Sequence, residues 1–177
     1  LMADGLGGSA QNAVARGANG SGANGGSAGA APWGSPRIDW EHPSPPVANA
    51  LGASDRALTS AGFALVPALR AGFLLAEGAS TTYALRVEPG RCYAVIAVGE
   101  QSARDVDLYL LDGRGTSVVM DREADPHPSV LLCPAYPGEL GVRVHMYSGQ
   151  GPVHLRAYAT AGPPTGQVPL SALVREA

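Results

Sequence analysis

The sequence predicts an all-β protein, an antiparallel β-sandwich of eight or nine short strands preceded by an extended Gly/Ala-rich arm. Three observations predict it. From position 52 onward, short apolar runs recur at intervals of about 8–12 residues with turn signals between them. Within several runs apolar and polar residues alternate with period two, as in strands buried on one face. Charged residues make up only 15% of the chain, and 24 Gly and 15 Pro punctuate its 177 residues, which excludes a coiled coil.

The elements follow in order. Residues 1–36 hold ten Gly and nine Ala with Ser and Asn between them, and their only charges are Asp4 and Arg16. Such a segment buries too little apolar surface to offset its ordering entropy, so it reads as a linker or an arm that orders on a partner. Residues 37–51 read as a Pro-rich linker, because Pro43, Pro45 and Pro46 favour extended polyproline-like backbone. Trp33 and Trp40, the only tryptophans, precede the strand region, where a large ring docks either on its own domain or on a partner. The predicted strands are 62–67, 72–76, 81–87, 92–98, 105–111, 117–120, 129–133, 140–147 and 153–158, making residues 52–160 the sandwich and 161–177 a C-terminal tail.

Alternation assigns the faces. Tyr83, Leu85 and Val87 oppose Thr82 and Arg86. Val142, Val144 and Met146 oppose Arg143, His145 and Tyr147, and Val153, Leu155 and Ala157 oppose His154, Arg156 and Tyr158. Run 92–98 is apolar on both faces, which predicts a central strand. Pro89-Gly90, Asp112-Gly113, Asp125-Pro126, Pro137-Gly138 and Ser148-Gly149 supply turns.

Several local motifs between Ala71 and Tyr158 come in a characteristic order. They are Leu75-Ala76-Glu77-Gly78, Tyr83-Ala84-Leu85, Pro89-Gly90-Arg91-Cys92-Tyr93, and Asp105-Val106-Asp107-Leu108-Tyr109-Leu110 closed by Asp112-Gly113. Pro137-Gly138-Glu139-Leu140-Gly141-Val142-Arg143-Val144 and Gly149-Gln150-Gly151-Pro152-Val153 follow. This series, about half of the chain, resembles the bacterial pre-peptidase C-terminal (PPC) domain, in a cell-envelope variant with a cysteine pair. The Asp-x-Asp-Leu-Tyr-Leu element is its most specific part. The resemblance implies a jelly-roll sandwich, exported from the cytoplasm, that is a non-catalytic module binding matrix, polysaccharide or a partner domain.

Charge and cysteine narrow the classes. The formal net charge is −3, and all twelve basic residues are Arg, scattered singly without a basic patch, so a nucleic-acid surface is not expected. No stretch is long and apolar enough for a transmembrane segment. Cys92 and Cys133 lie in apolar, strand-like runs without the clustered spacing of a zinc site, which leaves two buried thiols or one disulfide. The disulfide is the favoured reading, and it implies an oxidising, extracytoplasmic compartment.

No residue pattern starts a catalytic mechanism: there is no nucleophile elbow, zincin helix motif or phosphate loop. An enzyme is therefore not expected. Asp105, Asp107, Asp112, Asp121, Glu123 and Asp125 fall within a short stretch. Hard oxygen ligands converging in loops suit Ca²⁺, and Asp105, Asp107, Asp112, Asp121 and Asp125 are the candidate ligands; otherwise they cap turns. His42, His127, His145 and His154 lack ligand spacing, although His145 and His154 could neighbour each other across a late hairpin. Arg143, His145, Tyr147, Arg156 and Tyr158 form a candidate binding surface, joined by Trp33 and Trp40, because Tyr and Arg are enriched at interfaces and suit sugars. The expected function is a structural or assembly subunit of a bacterial envelope or surface complex, with protein partners. A polysaccharide- or matrix-binding module assisted by calcium, and a piece of a larger secreted protein, are the alternatives.

Overall fold

A computed structural model describes residues 42–162. The Gly/Ala-rich arm, Trp33, Trp40 and residues 163–177 lie outside the described residues. The first element is helix α1 (Pro45–Ser60). Eight strands follow: β1 (Phe63–Leu75), β2 (Ser80–Val87), β3 (Tyr93–Gly99), β4 (Ala103–Leu111), β5 (Ser117–Asp121), β6 (Ser129–Leu132), β7 (Gly138–Gly149) and β8 (Gly151–Thr160). They form two four-stranded antiparallel sheets, ordered β1-β8-β3-β6 and β2-β7-β4-β5. The pairs β1·β8, β2·β7, β3·β6 and β4·β5 are nested, as if one long hairpin were folded over on itself. That nesting is the jelly-roll solution for eight antiparallel strands.

The space between the sheets is filled by predicted inward positions, among them Leu85, Val87, Val142, Val144, Met146, Val153, Leu155 and Ala157, together with Phe73, Val95, Leu108 and Leu110. Two of the predicted strands, 62–67 and 72–76, are one strand. Its pairing with β8 shifts register between Leu65 and Arg70, where Pro67 lacks the N–H a ladder needs.

The helix is the larger departure. Pro45 and Pro46, read as polyproline-like linker, instead occupy its first turn, where the missing N–H groups have no intrahelical acceptor to lose. The signal was in the sequence: Val47, Ala50, Leu51, Ser54 and Leu58 are buried at helical spacing. Gly62, at φ 85°, ends the helix where a side chain would be strained, and its N–H donates to the Thr59 carbonyl (3.0 Å). The helix lies on the outer side of the β1-β8-β3-β6 sheet, closing a second apolar cluster of Val47, Leu51, Leu58 and Phe63 against Cys92, Ala94, Ile96, Val98 and Tyr158. Strand β3 is therefore buried at every residue, with the core on one face and the helix on the other.

Candidate functional site: the open sheet face

With one sheet sealed by the helix, the outer face of β2-β7-β4-β5 is the face that the described residues leave open. Strand register places its side chains in rows. Thr82, Arg143, Tyr109 and Met120 stand opposite one another across β2, β7, β4 and β5. The neighbouring row holds Ser80, His145 and Asp107. The Arg143 guanidinium lies 4.5 Å from the Tyr109 ring centroid. The Tyr109 hydroxyl donates to Asp107 Oδ2 (2.8 Å), and Asp107 is itself buried. Ser80 Oγ and His145 Nδ1 are 2.9 Å apart, and the His145 and Tyr147 rings meet edge to face. Beyond this network Met120 is 52% exposed and Tyr147 61%.

Electrostatics follow from burial. Desolvation, the Asp107 charge and the Asp125 charge raise the Asp105 carboxyl above its usual value. Desolvation and the hydrogen bond to Asp107 likewise raise the Tyr109 phenol, which keeps it a donor. His145 Nδ1 also faces the Ala79 carbonyl (3.2 Å), an acceptor to which it can only donate, and the Tyr109 ring joins Arg143 to Asp107.

The predicted binding residues are divided by the fold. Arg143, His145 and Tyr147 share the open face. Arg156 and Tyr158 do not join them: they lie on the other sheet, under α1, where both donate to the Asp55 carboxylate. Burial and the bond to Asp55 push the Tyr158 phenol well up. Alternation had assigned these residues correctly to an outward face, but the helix covers that face. His145 and His154 are separated in the same way, because the chain passes from one sheet to the other between β7 and β8.

The five candidate calcium ligands are likewise dispersed. Asp112 accepts from the backbone N–H of Arg114 and Thr116 in the β4–β5 turn (2.9 and 2.8 Å). Asp121 accepts from Glu123 and Ser129, and Asp125 from His127. These are loop-tying bonds. Only Asp105 and Asp107 reach the sheet face, and among the described residues no group of three or more His, Cys, Asp or Glu is placed to hold a metal ion. Cys92 and Cys133 are joined as a disulfide between the start of β3 and the end of β6.

Sequence reasoning missed a second polar centre, at the start of the helix. Glu100 accepts from the Ser44 N–H (3.0 Å), the Ser44 hydroxyl and His154 Nε2 (3.2 Å). Ser44 is thus bonded to the carboxylate rather than to the imidazole, so the trio is a cap and not a nucleophile with its base. Burial would raise Glu100, but the Ser44 and His154 bonds outweigh it and hold the carboxyl below its usual value. Burial lowers His154 against the pull of Glu100, and it lowers His127 against that of Asp125.

The signs determine a pH dependence. Both imidazoles bind protons less readily folded than unfolded, so their contribution is complete above pH 6.5 and is lost as pH falls through their folded values. Glu100 adds a further loss below 4.5, which the raised Asp105 partly opposes. The urea midpoint should fall steadily from about pH 7.5 to about pH 5.5. A flat or rising midpoint over that interval would contradict the burial of these two imidazoles.

No family model and no curated protein matches the chain. Among solved structures, the chain is similar to PliG of Aeromonas hydrophila, a periplasmic lysozyme inhibitor of g-type lysozyme, at 11% identity and a TM-score of 0.41, covering 58% of this chain and 90% of that one. It is also similar to the pre-peptidase C-terminal domain of a Bacillus anthracis collagenase, at 15% identity and a TM-score of 0.40, covering 50% of this chain and 89% of that one. A de novo designed double-stranded β-helix matches at 20% identity and a TM-score of 0.32, covering 51% of this chain and 96% of that one. Likeness at this level fixes neither kinship nor function.

Proposed function

We propose that this chain is a non-enzymatic, extracytoplasmic binding module, a PPC-like sandwich that holds a protein partner on the open face of β2-β7-β4-β5 as a subunit of an envelope or surface assembly. The observation that carries it is the asymmetry of the two sheets. One outer face is sealed by α1, while the other presents Arg143, Tyr109, Tyr147 and Met120. Arg, Tyr and Met are the residue types enriched in protein interfaces, and a preordered Arg–Tyr pair loses little side-chain entropy on binding. A protein is favoured over a polysaccharide because Arg143 already covers a face of the Tyr109 ring on which a sugar would stack. The disulfide supports an oxidising compartment. Among the described residues no helix is long and apolar enough to cross a membrane.

Photo-cross-linking in the cells that make the protein tests this reading. A benzophenone side chain replacing Tyr147 or Met120 should yield one discrete protein adduct, and the same group replacing Leu74 on β1 should not. Equal adducts from all three positions, or none from Tyr147 and Met120, would remove the open face as the binding surface.

A further inference from the structure

A cleft of about 370 Å³ opens between the first turns of α1 and the loops that follow β3 and β5. It is independent of the open sheet face. Val47, Ala50 and Ala103 form buried apolar walls, Glu100 and His127 line it, and the exposed Gln101 stands at its mouth. Its size is at the small end of ligand sites, and its make-up, apolar walls with a few polar groups, is what such sites require.

Charge decides what would fit. Among the described residues, Glu100 is the only ionised side chain in the lining, and no Arg lines the cleft. The groups that bond Glu100 are neutral donors at pH 7, because burial keeps His154 uncharged. Burial keeps His127 uncharged as well, so no imidazolium competes. Glu100 Oε1 accepts two hydrogen bonds and Oε2 only one, which leaves an acceptor position on Oε2. Because both oxygens are already engaged, the carboxylate cannot offer the open edge that a guanidinium fork needs. A compact ammonium needs a single lone pair.

We propose that this cleft binds a primary alkylammonium, with the aliphatic stem against Val47, Ala50 and Ala103 and the charged head at Glu100. The chain contains no lysine, so a side-chain ammonium must come from another molecule, either a partner's lysine or a free amine.

Titration of the full chain with pentylammonium, pentanol and pentanoate, followed through the His127 ring and Gly99 amide resonances, tests the site. Only pentylammonium should give saturable shifts, with a Kd on the order of 1 mM. Tighter binding of an Nα-acetyl-lysine amide would assign the natural source to a protein lysine; weaker binding would assign it to a free amine. Glu100→Gln should weaken binding about tenfold. Gln101→Lys, an exposed change, should abolish binding by placing a tethered ammonium at Glu100 while leaving the melting temperature unchanged. Pentanol binding as well as pentylammonium, no saturation with pentylammonium, or unchanged binding in both variants would overturn the proposal.

Discussion

A chain beginning at Gly52 is expected to lose the native sandwich, whereas a chain beginning at His42 is expected to keep it. The cut at Gly52 removes Val47, Ala50 and Leu51, which are 4%, 5% and 1% exposed. Each large apolar side chain contributes about 1.5–3 kcal/mol by burial, so the loss approaches about 5 kcal/mol. That is comparable to the whole stability of many domains. The cut also strips the Ser44 donors from Glu100 and uncovers the outer face of β3, where Ala94, Ile96 and Val98 would meet water. A half-helix beginning at Gly52 has lost its Pro-Pro start and is too short to persist without packing. Circular dichroism melts should show a broad transition or none for the Gly52 chain, together with dye binding to exposed apolar surface. Melting within a few degrees of the full chain would show that the helix is dispensable, and the sealed-face account would fail with it.

Breaking the disulfide should have the second-largest effect. The bridge closes a loop with a sequence separation of 41 residues. In the chain-entropy model its loss costs about 4 kcal/mol. For a domain of this size that corresponds to about 15 °C in melting temperature. Cys92 is buried just before β3, where its N–H donates to the Thr160 hydroxyl and its carbonyl accepts the Thr160 N–H. The bridge therefore anchors three strand ends of one sheet: β3 and β8 through these bonds, and β6 through Cys133. Paired Cys92→Ala and Cys133→Ala substitutions should reproduce the effect of reductant. Equal melting temperatures with and without reductant would show that the β3–β6 pairing holds unaided.

Asp55 explains why the helix stays where it does. Its carboxylate receives both Arg156 and the buried Tyr158 hydroxyl, so helix and sheet are joined by charge as well as by Leu51 and Leu58. Nothing local to Asp55 announces this, because its partners are 101 and 103 residues away in sequence.

Much of the fold was legible because β-strands carry their burial in their own alternation. Val142, Val144 and Met146 face inward for the reason the pattern suggests, and the turn residues separate the strands where Gly and Pro require it. The helix was equally legible at 47, 50, 51, 54 and 58, and was obscured by reading Pro45 and Pro46 for backbone preference without the spacing that follows them. The disulfide was the favoured of two readings of cysteines in apolar, strand-like runs, and the structure joins them just outside β3 and β6.

The functional surface was legible only in part. Period-two alternation tells which residues leave the core but not what lies beyond them. Arg143 and Arg156 occupy equivalent positions in their strands. One is open beside Tyr109 and the other is closed beneath a helix, because α1 covers one sheet and not the other. The sequence by itself determined most of the strands and the inward faces of those that alternate, since these depend on local periodicity and residue type. Tertiary structure alone decided which outward face meets solvent, and it gathered Ser44, Glu100 and His154 around one carboxylate, because those contacts join segments that no local pattern relates.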